Sequence, residues 1–144
     1  MSIKPVLARL LRLRGLEEEQ SRLELENTAA ALGRVEQERA AVTRRQAMGR
    51  RVFVTGIEQS DNRCRPAAVI EMELAQRQRA QVDLRLTAIE SEVERQRDEF
   101  LERRTRRQQV ETLVDAARAE SEVTAARRAQ QMLDDWYGRR GPKQ

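Results

Sequence analysis

The chain has 144 residues, of which 39% are hydrophobic and 36% charged, with Lys+Arg 28 against Asp+Glu 24. Two phenylalanines, one tryptophan and one tyrosine are the whole aromatic complement, beside three prolines and six glycines. That balance excludes an ordinary globular core and points to long helices or a coiled coil, while the near-cancelling charge and the aliphatic content argue against disorder.

The first long stretch runs from about residue 5 to 52. Pro5 suits the first turn of a helix, where its missing N–H costs nothing. Leu7, Leu10, Leu11, Leu13 and Leu16 form a dense apolar cluster. Leu13, Leu16, Leu23 and Ala30 make one seam, and Leu25, Leu32, Val35 and Val42 a second, out of phase with the first. Together they predict a helix whose apolar stripe drifts around its surface. Gly15, Gly33 and Gly49 each weaken it by about 1 kcal/mol relative to alanine.

A turn is expected over about residues 53 to 65. The run FVTGI is β-branched and holds Gly56, and Ser60, Asp61, Asn62 and Pro66 supply turn chemistry. Ser60 or Asp61 would cap the next helix, or Pro66 would open it.

The second helix is expected over about residues 66 to 137, an interval with no glycine and with proline only at its start. Steps of three and four residues from Met72 pass through Ala75, Arg79, Val82, Leu86, Ile89, Val93, Gln96, Phe100, Arg103, Arg107, Val110, Val114 and Ala117. Ten of these fourteen are apolar, as in the seam of a coiled coil. Gly138, Gly141 and Pro142 end the helix, and residues 138–144 form a basic tail. The fold class is therefore all-α: one antiparallel coiled-coil hairpin with the second helix longer. At 1.5 Å per residue the helices span about 70 Å and about 110 Å. Pro5 then falls opposite roughly Leu113, and the last two dozen or so residues lack a partner. They carry Leu113, Val114, Ala117, Val123, Met132, Leu133 and Trp136, an apolar stripe that calls for an intermolecular partner.

No catalytic, cofactor or metal site is expected, and no enzymatic activity. There is no histidine, the commonest general base and metal ligand. The lone Cys64 permits neither an intramolecular disulfide nor a thiolate zinc site and reads as a free thiol of a reducing cytosol. No Walker pattern or GxGxxG is present. Glu17, Glu18 and Glu19 point in successive directions on a helix and read as a solvated acidic face. Glu90 and Glu94 share a face but read as surface charges opposite arginines. The basic residues are 26 arginines and two lysines, mostly alternating with glutamates. Arg103, Arg104, Arg106 and Arg107 scatter around the helix without interleaved aromatics, so nucleic-acid binding is not expected. Lys4, Arg9, Arg12 and Arg14 read as part of a docking face rather than a membrane-surface helix. No run reaches the ~18 apolar residues of a membrane span, and no secretory signal is recognised.

Three segments carry a resemblance. VLARLLRLRGLEEEQSRLEL at the start, NRCRPAAVIEMEL in the middle and VDAARAESEVTAARRAQQMLDDWYGRR at the close resemble the FliJ/YscO family, the central stalk proteins of type III secretion and flagellar export. The resemblance covers nearly the whole chain, and Cys64 stands where some relatives carry an aromatic. It implies a non-enzymatic cytoplasmic protein, associated with a membrane-embedded export apparatus only through its partners. Those partners would be the hexameric export ATPase, the cytoplasmic domain of the export gate protein and export chaperones. The ATPase-binding end would hold Leu7, Leu10, Leu13, Leu16, Met132, Leu133 and Trp136. The gate-binding patch would hold Val69, Ile70 and Leu74. The alternative, drawn from the residues alone, is a generic coiled-coil scaffold or adaptor, homodimeric through pairing of its long helices.

Overall fold

The computed structural model describes residues 4–59 and 63–141. Two helices, α1 (Lys4–Glu58) and α2 (Cys64–Arg139), pack against each other in antiparallel sense, with the second the longer. Among the described residues there is no strand. Pro5 and Pro66 both lie in first turns, where a missing N–H breaks no helical hydrogen bond. Contacts group the chain into a terminal unit, residues 1–20 with 101–144, and a distal unit, residues 21–100.

The expected seam of α2 is the observed one. All fourteen positions from Met72 to Ala117 are buried or half-buried, and Ala68 extends the row by one step. The core side chains are small: Val35, Ala68, Ala75, Val82 and Val93 in the distal unit, Val110 and Val114 in the terminal unit.

α1 meets the expectation in one seam, Leu25, Leu32, Val35 and Val42, all buried or half-buried, and departs from it in the other. Leu13, Leu16, Leu23 and Ala30 are exposed. The inner face is a row of four- and three-residue steps, broken once between Val35 and Val42, where Arg39 is exposed. In the terminal unit it is Leu7, Leu11, Arg14 and Glu18; in the distal unit it runs from Ser21 through Leu25, Thr28, Leu32, Val35, Val42, Gln46, Gly49 and Phe53 to Gly56. Its polar and glycine members hid it from an apolar count. At one of them a side chain would crowd the facing helix. A Cβ on Gly49 would lie 2.9 Å from Met72 Cγ, whereas nothing lies within 4 Å of one on Gly15 or Gly33.

The turn is also shorter than expected. Residues 53–58 are helical, because Phe53 and Gly56 fall on the inner row and burial outweighs the β-branched preference of FVTGI. α2 begins at Cys64 and runs through Gly138 to Arg139, whose cation suits a helix C-terminus. The proposed caps Ser60 and Asp61 lie outside the described residues, as do Asn62, Pro142 and Lys143. The shorter turn slides the pairing. Within the terminal unit Lys4 Nζ donates to Ser121 Oγ at 2.6 Å, about two helical turns beyond the expected partner. Val114 is therefore buried and Ala117 half-buried, and only the residues from Glu122 onward are exposed throughout.

Charged side chains flank the seam. In the distal unit Arg39 pairs with Asp83 at 2.9 Å and Arg85 with Glu38 at 2.7 Å. Arg79 Nη1 donates to Gln46 Oε1 at 3.1 Å. In the terminal unit the polar seam members meet across the helices. Arg107 Nε donates to Glu18, and Arg103 Nη1 donates to the Glu17 carbonyl at 3.2 Å. Glu17 and Glu18 are thus interface residues rather than a solvated face, and Arg14 holds the Glu17 carboxylate at 3.0 Å. Exposed pairs of this kind contribute about 0–1 kcal/mol each, so they fix register more than they stabilise.

Gly33→Ala is expected to raise unfolding stability by about 1 kcal/mol, since a helical glycine is replaced into open space. Gly49→Ala is expected to forfeit that gain and fall about 1–2 kcal/mol below Gly33→Ala, because its methyl must displace Met72. Thermal unfolding followed by circular dichroism measures both; equal stabilisation would remove the close-approach role of Gly49.

Candidate interaction surfaces

In the distal unit α2 leaves the turn with its seam on one side, which forces other apolar residues outward. Ile70 and Leu74 lie one turn apart on its outer face and are 58% and 44% exposed. Val69 points to the flank, where it lines a shallow groove with Gln46, Arg50, Met72 and Arg79. The three residues assigned to the gate patch therefore divide into an outer pair and a flanking residue.

The same unit exposes apolar residues that the expected seams left out, two of them, Val54 and Ile57, in the expected turn. Met48, Val52, Val54 and Ile57 are all exposed on the last turns of α1. Met48 and Val52, with Gly49, Ala67 and Ala68, line a groove of about 290 Å³. The inner row continued through Gly49, Phe53 and Gly56 would have revealed them, since it puts Met48 and Val52 beside the seam.

Arg45 and Glu71 also line this groove and pair across the helices. The hydrogen bond from Arg45 holds the Glu71 carboxyl below its ordinary 4.5, and the Arg45 guanidinium is raised in turn.

In the terminal unit the expected ATPase-binding residues take different environments. Leu7 is half-buried in the seam, where with Ala8 it faces Val114 and Ala117 around a gap of about 160 Å³. Leu10 is half-buried, while Leu13 and Leu16 are exposed on the outer side of α1. Met132, Leu133 and Trp136 are exposed on the stretch of α2 beyond Ser121. There the Trp136 and Tyr137 rings meet edge-on, with centroids 5.0 Å apart, and the Arg140 guanidinium sits 4.3 Å from the Trp136 ring centroid. The cation covers one face of the indole, and Trp136 remains about half exposed.

Neither surface converges acid, base and nucleophile on one point. Among the described residues no group of three potential metal ligands gathers, and no helix is long and apolar enough to cross a membrane. The surfaces are suited to contact. Comparison with family models, curated proteins and solved structures finds no match to this chain.

The Arg45–Glu71 pair yields a pH dependence with a definite sign. A carboxyl lowered in the folded state stabilises at neutral pH, and that contribution is lost as pH falls below 4.5 through the folded value. Arg45→Gln is expected to return Glu71 toward 4.5. Carboxyl chemical shifts measured against pH check this; an unmoved Glu71 titration in the variant would show that the pair does not form.

Proposed function

We propose that this chain is a non-enzymatic stalk component of a type III protein export apparatus, flagellar or injectisome. It regulates the hexameric export ATPase by inserting its terminal end, and it contacts the export gate and export chaperones. The chain works in the cytoplasm and meets the membrane-embedded apparatus only through these partners. The observation that carries the reading is the run of α2 past Ser121, every residue of which to Arg139 is exposed, with Met132, Leu133 and Trp136 among them. A helix that continues without an intrachain partner while keeping large apolar side chains is built for one outside. The resemblance of the opening and closing segments to the FliJ/YscO family names that partner as the ATPase ring. The outward pair Ile70 and Leu74, with Val69 at the flank, supports a second contact at the distal unit, assigned to the gate.

A generic scaffold is the second reading. It is favoured by Leu13 and Leu16, which are 52% and 64% exposed on the outer face of α1 and suit lateral association of helices.

Pull-down from a native cytosol and an ATPase assay on the recovered hexamer test the first reading. Deletion of residues 132–144 is expected to abolish capture and stimulation together. Unchanged capture and stimulation would overturn the placement of the ATPase-binding end.

For the distal patch, Leu74→Ala is expected to weaken binding to the gate's cytoplasmic domain by about tenfold, the cost of an exposed apolar anchor at a contact. Helicity should be unchanged. Loss of helicity instead would show that Leu74 supports the fold.

A further inference from the structure

In the distal unit α1 presents a second face, about a quarter of a turn around the helix from its inner row. Alternating steps of four and three residues from Ala29 to Ile57 trace it, and every member is exposed except the half-buried Gly33. At about 100° per residue all of them lie within about 60° of one line along the helix. The face carries two kinds of unengaged side chain. Val54 and Ile57 are 50% and 47% exposed. Glu36 and Arg50 make no hydrogen bond or ion pair among the described residues. Arg39, one turn from Glu36, is held by Asp83, and no acidic residue lies within a turn of Arg50 on α1.

This face is complementary to itself in the antiparallel direction. With a two-fold axis at Thr43, Glu36 of one chain meets Arg50 of the other, and Arg50 meets Glu36. Both charges lie within about 40° of the line, so both are aimed at the partner. Val54 meets Gly33, where nothing in the chain itself lies within 4 Å of a Cβ, and Ile57 meets Ala29. Ala40 meets Ala47, and Thr43 meets its own copy with its hydroxyl already donated to the Arg39 carbonyl at 2.9 Å. Each large apolar side chain therefore faces a small one, which lets the helices approach closely. A parallel pairing would set Glu36 on Glu36 and Arg50 on Arg50, so the charges specify direction. Arg44, about 80° off the line, is the flanking cation brought nearest its own copy.

We propose that residues 29–57 join two copies of this chain through an antiparallel, two-fold pairing of their α1 helices. The contact is isologous and closes at two chains. Because the face is turned about a quarter of a turn from α2, the pairing of α1 with α2 stays intact, unlike a scaffold whose long helices pair between chains. About 43 Å of helix from each copy makes an interface near the low end of the specific range, about 1,200 Å², so the dimer dissociates readily. The contact uses none of the residues assigned to the ATPase or the gate, and it is decided on the pure protein.

Sedimentation velocity on the full-length chain, over about 1–200 μM, is the test. Wild type is expected to shift from one chain to two across that range. Glu36→Arg makes the meeting pair basic, and Arg50→Glu makes it acidic. Each alone is expected to associate at least about tenfold more weakly, as like charges now face each other. An equimolar mixture of the two is expected to recover wild-type association. Gly33→Leu fills open space within one chain but collides with the partner's Val54, so it is expected to weaken association at least about tenfold while raising helicity. Arg44→Gln is expected to tighten the dimer, by about twofold or more, through loss of the like-charge approach. Circular dichroism confirms that each variant remains helical. Wild type that stays a single chain at the highest concentration overturns the proposal. So do charge variants or a Gly33→Leu chain that dimerise as tightly as wild type, a mixture that fails to recover, or an Arg44→Gln chain that associates more weakly.

Discussion

Two helices alone can bury only the stripe along which they touch. Each gives one row of side chains to that contact, and no third element adds depth. The buried side chains are accordingly valines and alanines, and Gly49 yields its side chain altogether to admit Met72. Small side chains bring the backbones together and limit the apolar area removed from water. The charged flanks then carry the register that a deeper core would otherwise impose. Arg39 with Asp83 and Arg85 with Glu38 do so in the distal unit, and Arg107 with Glu18 in the terminal unit.

The same scarcity explains what the amino-acid sequence disclosed. The α2 row was fully legible because ten of its fourteen members are apolar, and the polar four fall at the expected steps. The α1 row was not. Arg14, Glu18, Ser21, Thr28, Gln46, Gly49 and Gly56 interrupt it, while exposed leucines at 13, 16 and 23 offered a false alternative. An apolar count follows the leucines; the fold follows whichever face matches the partner helix. The turn was misplaced for a related reason. Phe53 and Gly56 are strand- and turn-forming by local preference, yet they occupy inner positions and are carried into the helix.

Of the candidate surfaces, the exposed character of Met132, Leu133 and Trp136 was legible, but the grouping of the patches was not. Neighbours in sequence part company on a helix, so Val69 left the outer pair and Leu7 joined the seam. Met48 and Val52 lay within the expected first helix but on neither of its expected seams, so their groove went unseen. The chemistry of contact can be read from composition, whereas the membership of a patch depends on helix phase. A phase error of one residue rotates it by about 100°.

The terminal unit's cross-links have a mechanical consequence. Lys4 to Ser121, Arg103 to the Glu17 carbonyl and Arg107 to Glu18 all span the two helices within that unit. A force drawn along α2 from its exposed end would load these bonds together, in shear. A force applied sideways at Lys4 would load the first of them alone and peel the helices apart bond by bond. The unit is therefore anisotropic: firm against traction along its own helices and easily opened from its edge.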